Sequence, residues 1–287
     1  MPGWHGQAAT KSVIQLPVPN QSKPTGLSAG EDRKRPLLEV DHVVKSFGAL
    51  RAVDDVSLRV REASITGLIG PNGAGKTTLF NAIAGTSRPD SGKIRLAGRS
   101  IESLRADEVF HCGLGRTFQI PRPLGNLTVL ENLLLVPYRQ SGEKFWNTWL
   151  RRGLIRREEA AHREKAREVI EFVGLSRLID DPARILSGGQ QKLLELARIL
   201  MVDPAIILLD EPAAGVNPVL LESLVERILA LHRRGVTFLV IEHNMDLVMQ
   251  LCNPVVVMAQ GQVVVEGPPD QVRLDVRVID AYLGHDA

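Results

Sequence analysis

Two kinds of hydrophobic spacing divide this chain. From Leu37, the segments LLEVDHVVKSF and VDDVSLRV set apolar and polar residues in turn, as half-buried strands do, and predict a twisted antiparallel patch. ITGLIG, AIILLDE and VTFLVIEH are short continuous apolar runs instead. Such runs suit strands covered on both faces of a parallel sheet. Elsewhere the period becomes helical: Leu79, Phe80 and Ile83 share a face ahead of Gly85, a helix stop, and Leu193, Leu196, Ala197 and Leu200 recur at i, i+3, i+4 and i+7. Ser187 with Gln190 three residues on forms a capping box at the start of that second helix. The combined pattern predicts an α/β class, with a mainly parallel sheet and an antiparallel β patch.

From Asp107 to about Ile179 the pattern is mainly helical and polar, which sets off a helical subdomain over about 120–200. Turn signals in IPRPLGN separate the core from an insertion, Tyr138 to Arg157, that holds Trp146 and Trp149. The insertion either faces a partner or packs as core. RREEAAHREKAREVIEFVGL reads as one charged helix with a solvated face. Residues 1–36 are rich in Pro, Gly, Ser and Gln and lack a clean apolar h-region. They are expected to be a disordered extension rather than a signal peptide, leaving 37–287 as the ordered domain. Trp4 and the SVIQLPV run offer docking points, but a loose tail is the plainer reading.

Composition narrows the classes. A chain of 287 residues with 44% hydrophobic content can build a proper core. Its net charge of +2 carries no basic stripe with interleaved aromatics, so no nucleic-acid partner is expected. Cys112 and Cys252 are the only cysteines, which argues against a disulfide framework or zinc knuckle and for a reducing compartment. No run approaches the roughly 20 apolar residues of a spanning helix. Leu127 to Pro137 is the richest, and Glu131 and Asn132 interrupt it.

Candidate chemistry gathers at strand ends. ITGLIG runs into the Lys76 loop, AIILL into Asp210 and Glu211, and VTFLVI into Glu242 and His243. In open α/β sheets ligands bind at the carboxyl ends of the strands, so the three ends should converge. Gly70, Gly75, Lys76 and Thr77 fit the phosphate-cradling pattern G-x-x-x-x-G-K-[ST]. Backbone N–H groups across Asn72, Gly73, Ala74, Gly75 and Thr78 would surround phosphate oxygens, Lys76 would reach the β and γ phosphates, and the Thr77 hydroxyl would hold magnesium. Asp210 then suits a magnesium carboxylate, and Glu211 a base that orients attacking water, although the pair could instead cap the turn at Pro212. A histidine after an apolar strand is often structural, but the position of His243 on the same edge favours a catalytic role. Gln119 is a lone amide that spacing does not interpret. The LSGGQ helix start at Ser187 is a second anion-binding end, unexplained by the first.

The ordered set GPNGAGKTT, Phe118-Gln119, LSGGQ from Leu186 to Gln190, IILLDEP and Glu242-His243 resembles the nucleotide-binding subunit of ABC transporters from about Leu37 onward. The resemblance implies a P-loop NTPase fold of the ABC ATPase type, ATP with Mg2+, and head-to-tail pairing of two such subunits. Ser187, Gly188, Gly189 and Gln190 of one would complete the ATP site of the other, which accounts for the second helix start. It also implies that Phe47 stacks on adenine, that Gln119 bridges the magnesium and water region to the membrane partner, and that His243 contacts the γ phosphate. AAGVNP departs from the family in carrying Asn217 where many members have Asp.

GLGRTFQIPRPLGNLTVLENLLL, DEPAAGVNP, the insertion and the ending VIDAYLG together look like the ATPase of branched-chain amino-acid importers. ATPases for urea or short amides and for lipopolysaccharide export share most of these features. The resemblance places the chain on the cytoplasmic face of the membrane as a peripheral subunit, with a second ATPase, transmembrane permeases and, indirectly, a solute-binding protein as partners. A non-transport ABC ATPase is disfavoured by the single motif set and the absence of sustained heptads, and a simple P-loop kinase or GTPase by LSGGQ.

Overall fold

A computed structural model describes residues 36–117, 123–137 and 152–283. Its centre is a six-stranded sheet in the order β10-β9-β3-β8-β7-β6. Strands β3 (Ile65–Ile69), β7 (Ile206–Asp210) and β8 (Thr237–Ile241) are buried at every position, which is why their sequences are unbroken apolar runs. β6 (Leu114–Arg116) and β9 (Val255–Ala259) extend the parallel set, and only β10 (Gln262–Gly267) runs antiparallel. The sequence reading does not include β6, β9 or β10.

The pleat sorts alternate residues to two cores. Leu68, Leu208, Leu239, Ile241 and Met258 face one side, where they meet Leu79, Phe80 and Ile83 of α1 (Lys76–Ile83). That core is closed by a four-stranded antiparallel sheet in the order β2-β1-β4-β5, with β1 (Pro36–Phe47), β2 (Leu50–Arg61), β4 (Ser91–Leu96) and β5 (Arg99–Ser100). β1 opens at Pro36, one residue before the expected start of order. α2 (Ala106–His111) contributes Val109 to the same core.

Ile69, Ile207, Leu209, Phe238 and Val240 face the other side and meet the helices. α3 (Val129–Leu134) packs on α4 (Arg152–Val173), and α4 on α5 (Gly188–Leu200). α4 starts inside the stretch assigned from sequence to the insertion. Its face is not wholly solvated: Ala166, Val169, Ile170 and Val173 are buried at helical spacing. The rest of the insertion, with Trp146 and Trp149, lies outside the described residues. α6 (Pro218–Arg233), α7 (Met245–Leu251), α8 (Pro269–Leu274) and α9 (Val276–Leu283) complete the layer. Among the described residues, no helix is long and apolar enough to cross a membrane.

Candidate functional site

Because β3, β7, β8 and β6 run parallel, their carboxyl ends share one edge. The loop from Gly70 to Gly75 leaves β3 there and enters α1 at Lys76. Gly70 has φ 146°, and a Cβ on it would stand 2.0 Å from the Met258 carbonyl oxygen of β9. Gly75 has φ 96°, and its Cβ would stand 2.1 Å from the Ala52 carbonyl oxygen. Only glycine fits these two close approaches. Asn72, Gly73 and Thr77 are exposed, Thr78 is half-buried and Ala74 is buried beneath the loop. Gly75 caps α1 without a side chain. Lys76 is buried, its Nζ donating to the carbonyls of Gly70 and Pro71, both at 2.8 Å. Burial pushes its pKa down, against the pull of the Glu211 and Asp210 carboxylates.

Asp210 ends β7 with its side chain 4% exposed, and Arg116 at the end of β6 donates to its Oδ2 at 3.0 Å. The same guanidinium donates to Asn81 Oδ1 of α1 at 2.7 Å. Arg116 therefore ties three elements together at the foot of the phosphate loop. Thr117 Oγ1 accepts from the Asp210 N–H at 3.2 Å. A pair this deeply buried is a weak net source of stability, but it fixes the carboxylate's direction.

Glu211 follows with φ 48°, a left-handed conformation that L-residues avoid. Its Oε1 lies 3.1 Å from His243 Nε2, at the end of β8. Of the three strand ends expected to converge, those of β7 and β8 are thus in direct contact, while Lys76 feels the Glu211 and Asp210 charges but bonds to its own loop. Glu242, 3% exposed, accepts from Ala213 N–H at 2.7 Å, from His243 N–H at 3.0 Å and from Asn244 N–H at 3.1 Å. Lys192 of α5 donates to the carbonyls of Glu211, Pro212 and Ala214 at 2.7, 3.1 and 2.7 Å. Arg116 and Lys192 are not singled out by the sequence reading, which names Glu242 at its strand end without giving it a separate role. The one local signal of Arg116 and Lys192 is a charge set in an apolar strand end or helix face, and their partners lie about twenty or more residues away.

The LSGGQ segment opens α5. Ser187 caps the helix: its Oγ accepts from Gln190 N–H at 3.4 Å, and Gln190 Oε1 accepts from Ser187 N–H at 2.9 Å. Ser187 and Gly188 are exposed, while Gly189 is buried against Val216 and Leu220. Among the described residues, no hydrogen bond or ion pair joins Ser187–Gln190 to the loop at Gly70–Thr78. Phe47, 57% exposed, sits at the β1–β2 turn with the Lys45 ammonium 5.6 Å from its ring centre. Asn217 caps α6, its Oδ1 accepting from Leu220 N–H at 2.9 Å, the same service an Asp would render. Phe118 and Gln119 lie outside the described residues.

Among the described residues no group of three or more His, Cys, Asp and Glu could hold a metal. A divalent ion here would need ligands from a phosphate chain in addition to Thr77 and Asp210. Magnesium is bound in that manner, by one or two carboxylates with substrate phosphates and waters.

The geometry agrees with what the chain resembles. Residues 53–214 match the family model described as "ABC transporter", and residues 262–287 match "Branched-chain amino acid ATP-binding cassette transporter". The probable branched-chain amino acid transport ATP-binding protein LivG of Archaeoglobus fulgidus is 43% identical over 86% of this chain and 95% of its own length. A solved ATP-binding cassette of an ABC transporter in its ADP conformation is 40% identical, with TM-score 0.75, over 87% of this chain and 99% of that one. A cassette solved as a dimer in a post-hydrolysis state with ADP and Pi is 26% identical, with TM-score 0.67, over 81% and 98%.

Proposed function

This chain belongs to the ABC transporter family as an ATP-binding, ATP-hydrolysing subunit, and from that membership we propose that two ATP molecules are split between two such subunits to drive import of branched-chain amino acids. The contact that carries the chemistry is Glu211 with His243 on the edge that also bears the Lys76 loop. Glu211 takes the proton of the attacking water, and His243 Nε2 orients that carboxylate and faces the γ phosphate. Lys76 exchanges its two loop carbonyls for the β and γ phosphates. The Thr77 hydroxyl and Asp210 would hold Mg2+, a role the family resemblance extends to Gln119, and the ion would supply neutralisation of phosphate charge. Phe47 offers its exposed ring to adenine.

The opposing subunit supplies Ser187, Gly188, Gly189 and Gln190. Their exposed helix start presents N–H groups and a positive end to the phosphates. Neither subunit then holds a complete site alone, in keeping with the dimer seen for the related cassette with ADP and Pi. Closure on ATP draws together the two helical subdomains, about 120–200, and moves permease helices docked on them. ATP does this work only through its preference for the closed pair. The working location is the cytoplasmic face of the membrane. The amino-acid cargo is supported by the name of the archaeal relative and by the family model over residues 262–287.

One experiment tests both levels. In proteoliposomes holding the assembled transporter, the wild-type chain supports ATP-driven leucine uptake, and Glu211→Gln keeps ATP binding while hydrolysis and uptake slow by about 10^2- to 10^4-fold. Undiminished turnover in that variant overturns the base assignment; uptake of urea in place of leucine overturns the cargo.

A further inference from the structure

We propose that Lys192 is a positioning residue that clamps the Glu211–Ala214 loop to the start of α5, so that the half-site a subunit lends to its partner and the base it keeps for itself move as one body. This rests on the proposed roles of Glu211 and of the LSGGQ helix start. Lys192 is 9% exposed, and its ammonium gives all three of its donors to carbonyls of Glu211, Pro212 and Ala214. It lies five positions after Ser187 on the same helix, beyond the first turn that meets the partner's nucleotide. Gly189, within that turn, packs on Val216 and Leu220, which follow the same loop. The helix start and the loop therefore touch at two levels.

The loop needs such a clamp. Glu211 holds φ 48°, and left-handed L-residues persist only where their surroundings over-determine them. Glu242 also holds the loop, accepting from Ala213 N–H at 2.7 Å, and holds His243 N–H at 3.0 Å. Lys192 and Glu242 thus grip one loop together, one by its carbonyls and one by its amide. Burial pushes the Lys192 pKa down, and the negative charge of Glu242, Glu195, Glu211 and Asp210 opposes that shift. A shift of α5 on meeting the partner's nucleotide would pull directly on the backbone of Glu211.

The test compares Lys192→Met, Lys192→Arg and Glu211→Gln in the assembled transporter, reading ATP affinity, KM, kcat, the Hill coefficient and the melting temperature. In Lys192→Met, ATP affinity and KM are expected to stay within about threefold. Its kcat is expected to fall about 10- to 100-fold, the scale of a catalytic group displaced by about 1 Å. The Hill coefficient is expected to drop toward about 1 as the two sites lose contact. Lys192→Arg, which keeps a charged donor, is expected to recover much of kcat and of the cooperativity. An unchanged kcat in Lys192→Met, or parallel losses of KM, kcat and melting temperature that Arg does not repair, overturns the proposal. Normal turnover in Glu211→Gln overturns the underlying base assignment instead, so the two failures are distinguishable.

Discussion

The helix starts at Gly75 and Ser187, both proposed to meet the phosphates of ATP, are finished in opposite ways. α1 begins on a glycine with no side-chain cap, behind a loop wedged against the Ala52 and Met258 carbonyls, and its lysine is folded onto the loop's own backbone. α5 begins on a reciprocal cap between Ser187 and Gln190, with Ser187 and Gly188 in solvent. The first is tightly wedged but has no side-chain cap, which leaves room for the phosphate chain proposed to bind there. The second is locally satisfied, so it can stand exposed until the proposed partner subunit closes on it. A cradle must be preorganised, whereas a lid must survive being open.

That contrast can be attacked from both ends. The largest effect is expected at Lys76→Ala, which removes the cation from the cradle: hydrolysis should fall by at least about 10^2- to 10^3-fold, and ATP affinity of the isolated subunit should fall with it. Equilibrium binding of a fluorescent ATP analogue reads the second effect, and unchanged affinity would remove the cradle's special status. Ser187→Arg should split the same two readouts. The bulky cation blocks the lid, so hydrolysis by the dimer should drop about 100-fold while the isolated subunit binds ATP within about twofold of wild type. Loss of binding there would mean that α5 serves its own chain. The smallest effect is expected at Ser187→Ala, which deletes the cap but keeps the backbone N–H groups of the helix start. It should cost about 1 kcal/mol, seen by calorimetry as a fall of about 2–4 °C in melting temperature.

How much of this could be read in advance depended on range. Sequence-local features are legible: the glycine loop between β3 and α1, the box at Ser187 and Gln190, and the unbroken apolar runs of β7 and β8. β6 escapes because three residues, Leu-Gly-Arg, hold no period; it is a strand only because Leu208 and its neighbours offer an unpaired edge. β9 carries the same apolar signal as β7 but bears no chemistry at its end, so a reading guided by loaded strand ends passes over it. Arg116 and Lys192 escape for a third reason. Each acts through backbone or side-chain partners brought close only by the fold, and one residue's identity says little about a partner 94 positions away, as with Arg116 and Asp210.

The left-handed backbone at Glu211 sets resistance to heat against turnover. Glycine would occupy that spot at ease, where any L-side chain costs about 1–3 kcal/mol. Breeding this protein for thermal toughness alone would therefore favour erasing the base we propose, and a sturdier version found in such a screen should first be checked for whether it still burns fuel.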